Sequence, residues 1–315
     1  KVVGLSNVVK ITSGESHSCA LLDDDSVKCW RLNSSGQLGN NSTTNSTSPV
    51  SVPGSYNDIA VGSNHTCGIK TTGIVNCWGA SSDGSYKIGR FAFEETANGT
   101  HSSRNTPAPI YLTNSFVSIS ASTFNTCGIT NIGDTFCWGA DTFYRTGCSN
   151  TAMPTVTVDS CFGAGITNPS KISISDTGCA IESTGAIVCW GYGSSGQLGY
   201  GATTSSGIKN VSTITSATEI SAGSSHNCAL LSNNTVMCWG NNFKTQMADG
   251  TTTNALSPIV IPGLTNVTKI ALGAQFSCAL NSSGQVWCWG PNNYGNIGDG
   301  TTTDRTIPTQ VSAWQ

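Results

Sequence analysis

The stretch Cys228-Ala229-Leu230-Leu231-Ser232-Asn233-Asn234-Thr235-Val236-Met237-Cys238-Trp239 decides the fold. Two cysteines stand ten positions apart and a tryptophan follows the second. The pattern recurs with Cys19 and Cys29 before Trp30, Cys67 and Cys77 before Trp78, Cys127 and Cys137 before Trp138, Cys179 and Cys189 before Trp190, and Cys278 and Cys288 before Trp289. Each segment reads as a β-hairpin with a three-residue loop: Asp23-Asp24-Asp25, Thr71-Thr72-Gly73, Asn131-Ile132-Gly133, Ser183-Thr184-Gly185, Ser232-Asn233-Asn234 and Ser282-Ser283-Gly284. In such loops the third residue often takes the left-handed conformation, and here it is always Gly, Asn or Asp.

Counting back from the loop sets the register. Each cysteine falls opposite its partner, where facing Cβ atoms lie about 4.5–5.5 Å apart, close enough to bridge. Two residues nearer the loop, on the same face, aliphatic pairs recur: Leu21/Val27, Ile69/Val75, Ile181/Ile187, Leu230/Val236 and Leu280/Val286. The opposite face carries the tryptophan and, after each first cysteine, Ala or Gly (Ala20, Gly68, Gly128, Ala180, Ala229, Ala279). Both faces are therefore built to be packed. Repeats of about fifty residues with two packed faces can bury them only against neighbours, which predicts blades around an axis. Outer strands recur too, as Asn266–Gly273 matches Asn7–Gly14 and Ser257-Pro258 matches Ser48-Pro49.

Several motifs carry a family likeness: Gly-x-x-His-x-Cys-Ala-Leu at Gly14–Leu21 and Gly223–Leu230, Cys-Trp-Gly at Cys189–Gly191, and Gly-Gln-Leu-Gly at Gly36–Gly39 and Gly196–Gly199. With these the chain resembles the regulator-of-chromosome-condensation repeat family of β-propellers. It departs from the best-known members in having six repeats rather than seven, and in its paired cysteines. The expectation is an all-β, six-bladed β-propeller of four-stranded antiparallel blades, one domain over residues 1–315. Gly4–Asn7 enters in the register of Gly263–Asn266 and Ile307–Val311 matches the strand at Ser257, so the ring is expected to close by terminal strand pairing.

Fourteen cysteines make seven pairs, the last being Cys148 with Cys161 in an irregular segment. An even count at hairpin spacing points to disulfides and an oxidising compartment. Metal is disfavoured, since no Cys-x-x-Cys occurs and His does not accompany the cysteines in every repeat. Charged residues are 10% of the chain and the net charge is −3, whereas about a quarter charged is typical. No basic stripe is present to neutralise phosphates, so nucleic acid is excluded as a partner. The nuclear role implied by the resemblance does not carry over, and the Gly-Trp-Arg-His-Thr signature of the plant ultraviolet photoreceptors is absent. No stretch approaches the roughly 20 apolar residues of a membrane span. The first residues already lie in repeat register with no visible signal peptide, so a mature or trimmed, extracellular or cell-surface chain is expected.

Asn-x-Ser/Thr triplets begin at Asn33, Asn40, Asn41, Asn45, Asn64, Asn98, Asn210, Asn233, Asn266 and Asn281, where composition alone yields about six or seven. Asn98, Asn233, Asn41 and Asn45 are the best placed for N-linked glycans; Asn33, Asn210, Asn266 and Asn281 complete the candidate set, and Asn64 sits near a strand. His17, His65 and His226 share one repeat position, assigned in the third and sixth repeats to Phe124 and Phe276, so a packing role is expected there rather than a catalytic or metal role. His101 lies outside that pattern. Gly191-Tyr192-Gly193-Ser194-Ser195-Gly196 mimics a dinucleotide fingerprint without a following helix pattern. Asp249-Gly250-Thr251 and Asp299-Gly300-Thr301 read as turns without a calcium-ligand series. No catalytic set and no cofactor are expected.

Function is sought where the repeats break. Consecutive irregular loops carry Tyr86, Phe91, Phe93, Phe143, Tyr144 and Arg145, types enriched at binding hot spots. The repeat tryptophans are assigned to packing, with Trp287 and Trp314 outside the series. The expected function is a non-catalytic extracellular structural or interaction protein, displayed on a surface or self-assembling into a filament or coat. The alternatives are a secreted module binding glycan or protein, including the inhibitor role of bacterial members of the family, and then a hydrolytic propeller enzyme.

Overall fold

A computed structural model of the chain describes residues 2–80, 103–110, 112, 114–123, 125–139, 147, 166 and 168–311. Every regular element among them is a strand, and the fold is an all-β six-bladed propeller. Blade 1 contains β1 (Val8–Ser13), β2 (His17–Leu22), β3 (Val27–Arg31) and β4 (Ser46–Val52). Blade 2 contains β5 (Tyr56–Val61), β6 (His65–Lys70), β7 (Val75–Gly79) and β8 (Arg104–Pro109). Blade 3 shows β9 (Phe116–Ala121), β10 (Asn125–Thr130) and β11 (Thr135–Gly139) among the described residues. Blade 4 has β12 (Lys171–Ile174), β13 (Thr177–Ile181), β14 (Ile187–Gly191) and β15 (Ser206–Asn210). Blade 5 has β16 (Ala217–Ala222), β17 (His226–Leu231), β18 (Val236–Gly240) and β19 (Ala255–Val260). Blade 6 has β20 (Val267–Leu272), β21 (Ser277–Asn281), β22 (Val286–Gly290) and β23 (Arg305–Gln310).

The chain forms two compact units, residues 1–142 with 150–164, and residues 143–149 with 165–315. The first holds blades 1 to 3 and the second blades 4 to 6. Each blade is antiparallel and made of strands in sequence order. Among the described residues the expected pairing of terminal strands is not found: β1 pairs with β2, and β23 pairs with β22 through Trp287–Gln310 and Cys288–Thr309. The reason is local, because the loop from Gly290 to Arg305 returns the chain beside the strand it has just left, as the corresponding loop does in blades 1, 4 and 5.

The hairpin register follows from the loops. All six third loop residues lie in the left-handed region, from Asp25 at φ 63° and Asn234 at φ 65° to Gly73 at φ 86°. In blade 1 the Leu22 N–H donates to the Ser26 carbonyl, which makes that pair a hydrogen-bonded one. Alternation then puts Cys19 and Cys29 at a non-hydrogen-bonded pair, the closer kind.

The bridges follow that register. Cys19 is bonded to Cys29, Cys67 to Cys77, Cys127 to Cys137, Cys179 to Cys189, Cys228 to Cys238 and Cys278 to Cys288, with Cα atoms 4.0–4.1 Å apart. Blade 3, with three strands among the described residues, holds its bridge in the same way: Cys137 on β11 faces Cys127 on β10, and both are buried. Cys148 and Cys161 lie outside the described residues.

Within each unit blades stack by one rule: the cysteine face of one packs on the tryptophan face of the next. Cys19, Leu21, Val27, Cys29 and Leu38 of blade 1 cluster with Tyr56, Ile59 and Trp78 of blade 2. Cys67, Ile69, Val75 and Cys77 meet Phe116, Ile119, Phe136 and Trp138 of blade 3. In the second unit, blade 4 packs in the same way on Ala217, Ala229 and Trp239, and blade 5 on Val267, Ala279 and Trp289. These contacts are apolar and buried, the main source of folding free energy in such a core.

A polar seam runs beside each apolar one. The indole N–H of Trp78 donates to the Gln37 carbonyl (3.0 Å), that of Trp239 to Gln197 (2.8 Å) and that of Trp289 to Gln246 (2.7 Å), each acceptor lying in the preceding blade. Closeness explains the final glycine of Gly-Gln-Leu-Gly. Gly39 has φ +68°, and a Cβ there would stand 2.6 Å from Trp78 Nε1.

Candidate interaction surface

In blades 1, 5 and 6 the loop between the third and fourth strands is built around one buried asparagine, Asn33, Asn242 or Asn292. Asn242 Oδ1 accepts the Met247 N–H, its Nδ2 donates to Asp249 Oδ1 and the Thr251 carbonyl, and its own N–H donates to Asn254 Oδ1. Asn292 repeats the arrangement with Ile297, Asp299, Thr301 and Asp304, and Asn33 repeats it with Leu38, Asn40, Ser42, Thr44 and Asn45. In blade 4 Gly193 takes the place, and a Cβ there would stand 2.3 Å from the Thr204 carbonyl. The false dinucleotide fingerprint is thus a strand end and this loop, with β15 following.

Asp249 and Asp299 serve the same loops. Partial burial works against ionisation of Asp299, but the Thr301 hydroxyl and N–H and the Arg305 guanidinium outweigh it and hold the carboxyl at about 2. Asp249 is likewise held below its ordinary value despite desolvation, by Thr251 and Asn242. Both carboxylates are occupied as loop caps. Among the described residues no group of three or more His, Cys, Asp or Glu could hold a metal ion. What the loops offer outward is aromatic: Phe243 and Tyr294 are exposed on consecutive blades of the second unit.

The repeat histidines are buried and bridge blades. Nε2 of His17 lies 2.8 Å from Thr66 Oγ1, that of His65 2.9 Å from Thr126 Oγ1, and that of His226 2.7 Å from Ser277 Oγ. The third-repeat residue at this position is Asn125, which faces Gly139 as His65 faces Gly79, not Phe124. The cysteine fixes the count: the position is two before it, and Phe124 is three before. Phe276 does occupy it in blade 6.

Burial depresses the imidazoles, to about 4 for His17, partly offset by a backbone hydrogen bond at Ser63, and to about 3 for His226. The unfolded imidazoles titrate near 6.5, so below that pH the unfolded chain binds more protons. The stabilisation from burying them neutral is complete above pH 6.5 and fades as pH falls towards 4 and 3. The unfolding free energy from urea titrations should drop between pH 7 and pH 4 by an amount on the order of 2 kcal/mol or more. A His17→Asn/His226→Asn variant should flatten that slope; an equally steep profile would exclude the imidazoles as its source.

Tyr86, Phe91, Phe93, Phe143, Tyr144 and Arg145 lie outside the described residues, as do Asn98, His101, Phe124 and Trp314. Of the glycan candidates, Asn41, Asn45, Asn210, Asn233 and Asn266 are exposed. Two are corrected. Asn33 is fully buried with its amide nitrogen spent on three acceptors, and Asn281 is buried with its amide on Gln285. Neither can carry a sugar in this fold. The hub role of Asn242 and Asn292 is signalled by a spacing of twelve to Asn254 and Asp304, shared by Asn33 and Asn45.

Family comparison matches the Regulator of chromosome condensation (RCC1) repeat, in one form at residues 8–37, 57–85, 217–246 and 267–296 and in another at 233–280 and 283–314. The segments of the first form begin on the first strands of blades 1, 2, 5 and 6. This chain is an RCC1-like repeat β-propeller. No curated protein sequence matches it. Among solved structures, Prp20p from Saccharomyces cerevisiae, described with its binding properties to Gsp1p and histones, superposes with TM-score 0.83 at 18% identity over 97% of this chain and 77% of its own. Human WBSCR16 gives 0.81 at 20% identity over 97% and 82%. The ectodomain of the Physcomitrella patens receptor kinase CR4 gives 0.55 at 21% identity over 90% and 61%. At these identities the likeness is one of fold. On that fold this RCC1-like chain carries a cysteine bridge in the central hairpin of each blade.

Proposed function

We propose that this RCC1-like propeller is a non-catalytic, exported structural or interaction protein, displayed on a cell surface or assembled into an extracellular filament or coat. The observation that carries the reading is a disulfide in the central hairpin of every blade. Such bridges persist in oxidising compartments and are rare where glutathione keeps thiols reduced. The histidines and loop carboxylates are engaged in packing and capping, which supports a role by contact rather than by chemistry. No helix among the described residues is long and apolar enough to cross a membrane. The fold is shared with a plant receptor ectodomain and with Prp20p, which is described with protein partners, and this supports a role in protein contact. Exposed Phe243 and Tyr294 favour, as a second reading, recognition of a glycan or protein by the loop edge. Their exposure supports Asn41, Asn45, Asn210, Asn233 and Asn266 as glycan acceptors.

Maleimide labelling of protein from its native source, denatured without reductant, should find no free thiol, in material recovered from the medium or cell surface. Several free thiols in an intracellular fraction would overturn the reading.

A further inference from the structure

Among the described residues five blades show a fourth strand, β4, β8, β15, β19 and β23, and each is the last of its sheet. Such an edge offers unpaired N–H and C=O groups to any extended chain, and proteins blunt it with proline and with bulges. Four of these strands carry proline at one register position, immediately before the residue paired with the blade's second cysteine: Pro49 before Val50, Pro107 before Ala108, Pro258 before Ile259 and Pro308 before Thr309. In β15 the residue before Lys209, which pairs with Cys189, is Ile208.

The bulge of β15 is reduced as well. From Cys189 to Gly191 the third strand advances two residues while β15 covers three, Lys209 to Ser206. In the other blades the same two residues face four: Val50 to Ser46, Ala108 to Arg104, Ile259 to Ala255 and Thr309 to Arg305. Hydrogen bonding shows what the proline removes. The Val211 N–H donates to the Ile187 carbonyl at 2.9 Å, so alternation gives Lys209 its bonds to Cys189 and turns the N–H groups of Ile208 and Asn210 away from β14. The same count aims the nitrogens of Pro258 and Pro308 outward, since the Ile261 N–H donates to Val236 and the Val311 N–H to Val286. Proline thus deletes an outward donor in those blades, and blade 4 keeps it.

Gly207 is an independent sign. Its φ lies outside the left-handed region, and among the described residues a Cβ there would come no nearer than 3.6 Å to any atom, the Gly147 carbonyl oxygen. Neither a turn nor packing calls for glycine. Inside a strand glycine costs stability, and it marks a place where another backbone approaches closely.

We propose that the outer edge of blade 4 takes up an extended, acidic segment of a partner protein, which adds to β15 as a fifth antiparallel strand. Ile208 and Asn210 exchange main-chain bonds with it. Between them, the partner residue opposite Lys209 stands at a non-hydrogen-bonded position, the closer kind. Lys209 is exposed, and among the described residues its ammonium meets the Tyr200 ring, 5.9 Å from the centroid, and no carboxylate. A Glu or Asp of the partner belongs opposite it, as an opposite-charge cross-strand pair. Strand addition of this kind takes its affinity from main-chain bonds and its specificity from alternate side chains. This rests on the interaction reading above and names the surface and the class of partner.

The probe is a short synthetic peptide of alternating Thr and Val with one central Glu, offered to protein freed of N-glycans so that a sugar on Asn210 does not screen the edge. Amide hydrogen exchange at Ile208 and Asn210 should be fast in the free protein and slowed by the peptide. Ile208→Pro installs the residue that four other blades carry, so its urea midpoint should be unchanged, while peptide affinity should fall about tenfold for the lost main-chain bond. Lys209→Glu, at an exposed position, keeps the test open should the proline variant misfold; it should weaken the Glu peptide several-fold and prefer one with a central Lys. Absence of binding to wild type at millimolar peptide overturns the proposal. Unchanged affinity in both variants overturns it too, as does an Ile208 amide already protected in the free protein, whose edge is then covered. Dimers of wild type that Ile208→Pro dissolves overturn the choice of partner, because a second copy then takes the edge. Each of these failures leaves the exported reading standing, since thiol labelling tests that separately.

Discussion

Trp239→Ala should lower stability by about 3–5 kcal/mol, the range for deleting a buried large aromatic. The residue is completely buried, lies on Ala217 and Ala229 against the cysteine face of blade 4, and donates its indole N–H to Gln197. Truncation therefore opens a cavity between two blades and strips the Gln197 carbonyl of one of two donors, leaving Asn227 Nδ2 at 2.8 Å. Collapse into the cavity is limited because Gly199 already approaches the ring, with a built Cβ 2.9 Å from Nε1. Trp30→Ala should cost less than half as much, since that residue is half-buried. Guanidinium unfolding with unchanged slope, read as a midpoint shift, measures both. Equal losses would mean that the tryptophans act within their own blades rather than between them.

The difference between those two tryptophans marks the limit of what the repeats announce. The hairpin register, the cysteine partners and the two packed faces are legible because each rests on short-range spacing: three loop residues with a left-handed third position fix everything up to the cysteines. The acceptor of the indole proton is not legible. It is a backbone carbonyl in another blade, and a carbonyl leaves no mark on the sequence. Asn33 shows the same limit from the other side. Its triplet with Ser35 reads as a glycan acceptor locally, yet its burial depends on Asn45 returning twelve residues later. Terminal strand pairing follows from repeat phase alone, whereas actual pairing is decided by the loop that folds β23 back on β22. The residues chosen for binding stand where the repeat breaks, and periodicity carries no geometric information there.

Cys228→Ala/Cys238→Ala should cost about 2–3 kcal/mol, the chain-entropy value for a bridge closing a loop of this size. The sequence separation is 10 and both sulfurs are buried, at 1% and 0% residue exposure. Local hairpin order in the unfolded chain, encouraged by Asn234 in its left-handed turn, pulls the figure towards the lower end. Six such bridges do not add linearly, but losing all of them together should bring the unfolding midpoint down far more than losing one. Burial also sets the order of loss. A reductant must reach sulfur, so in native buffer Cys278–Cys288 should open first, because Cys278 is half-buried while both cysteines of the five other described bridges are buried. Timed alkylation and mass spectrometry under dithiothreitol would read that order directly. Early opening of Cys228–Cys238 would mean that burial of the sulfurs does not set the order.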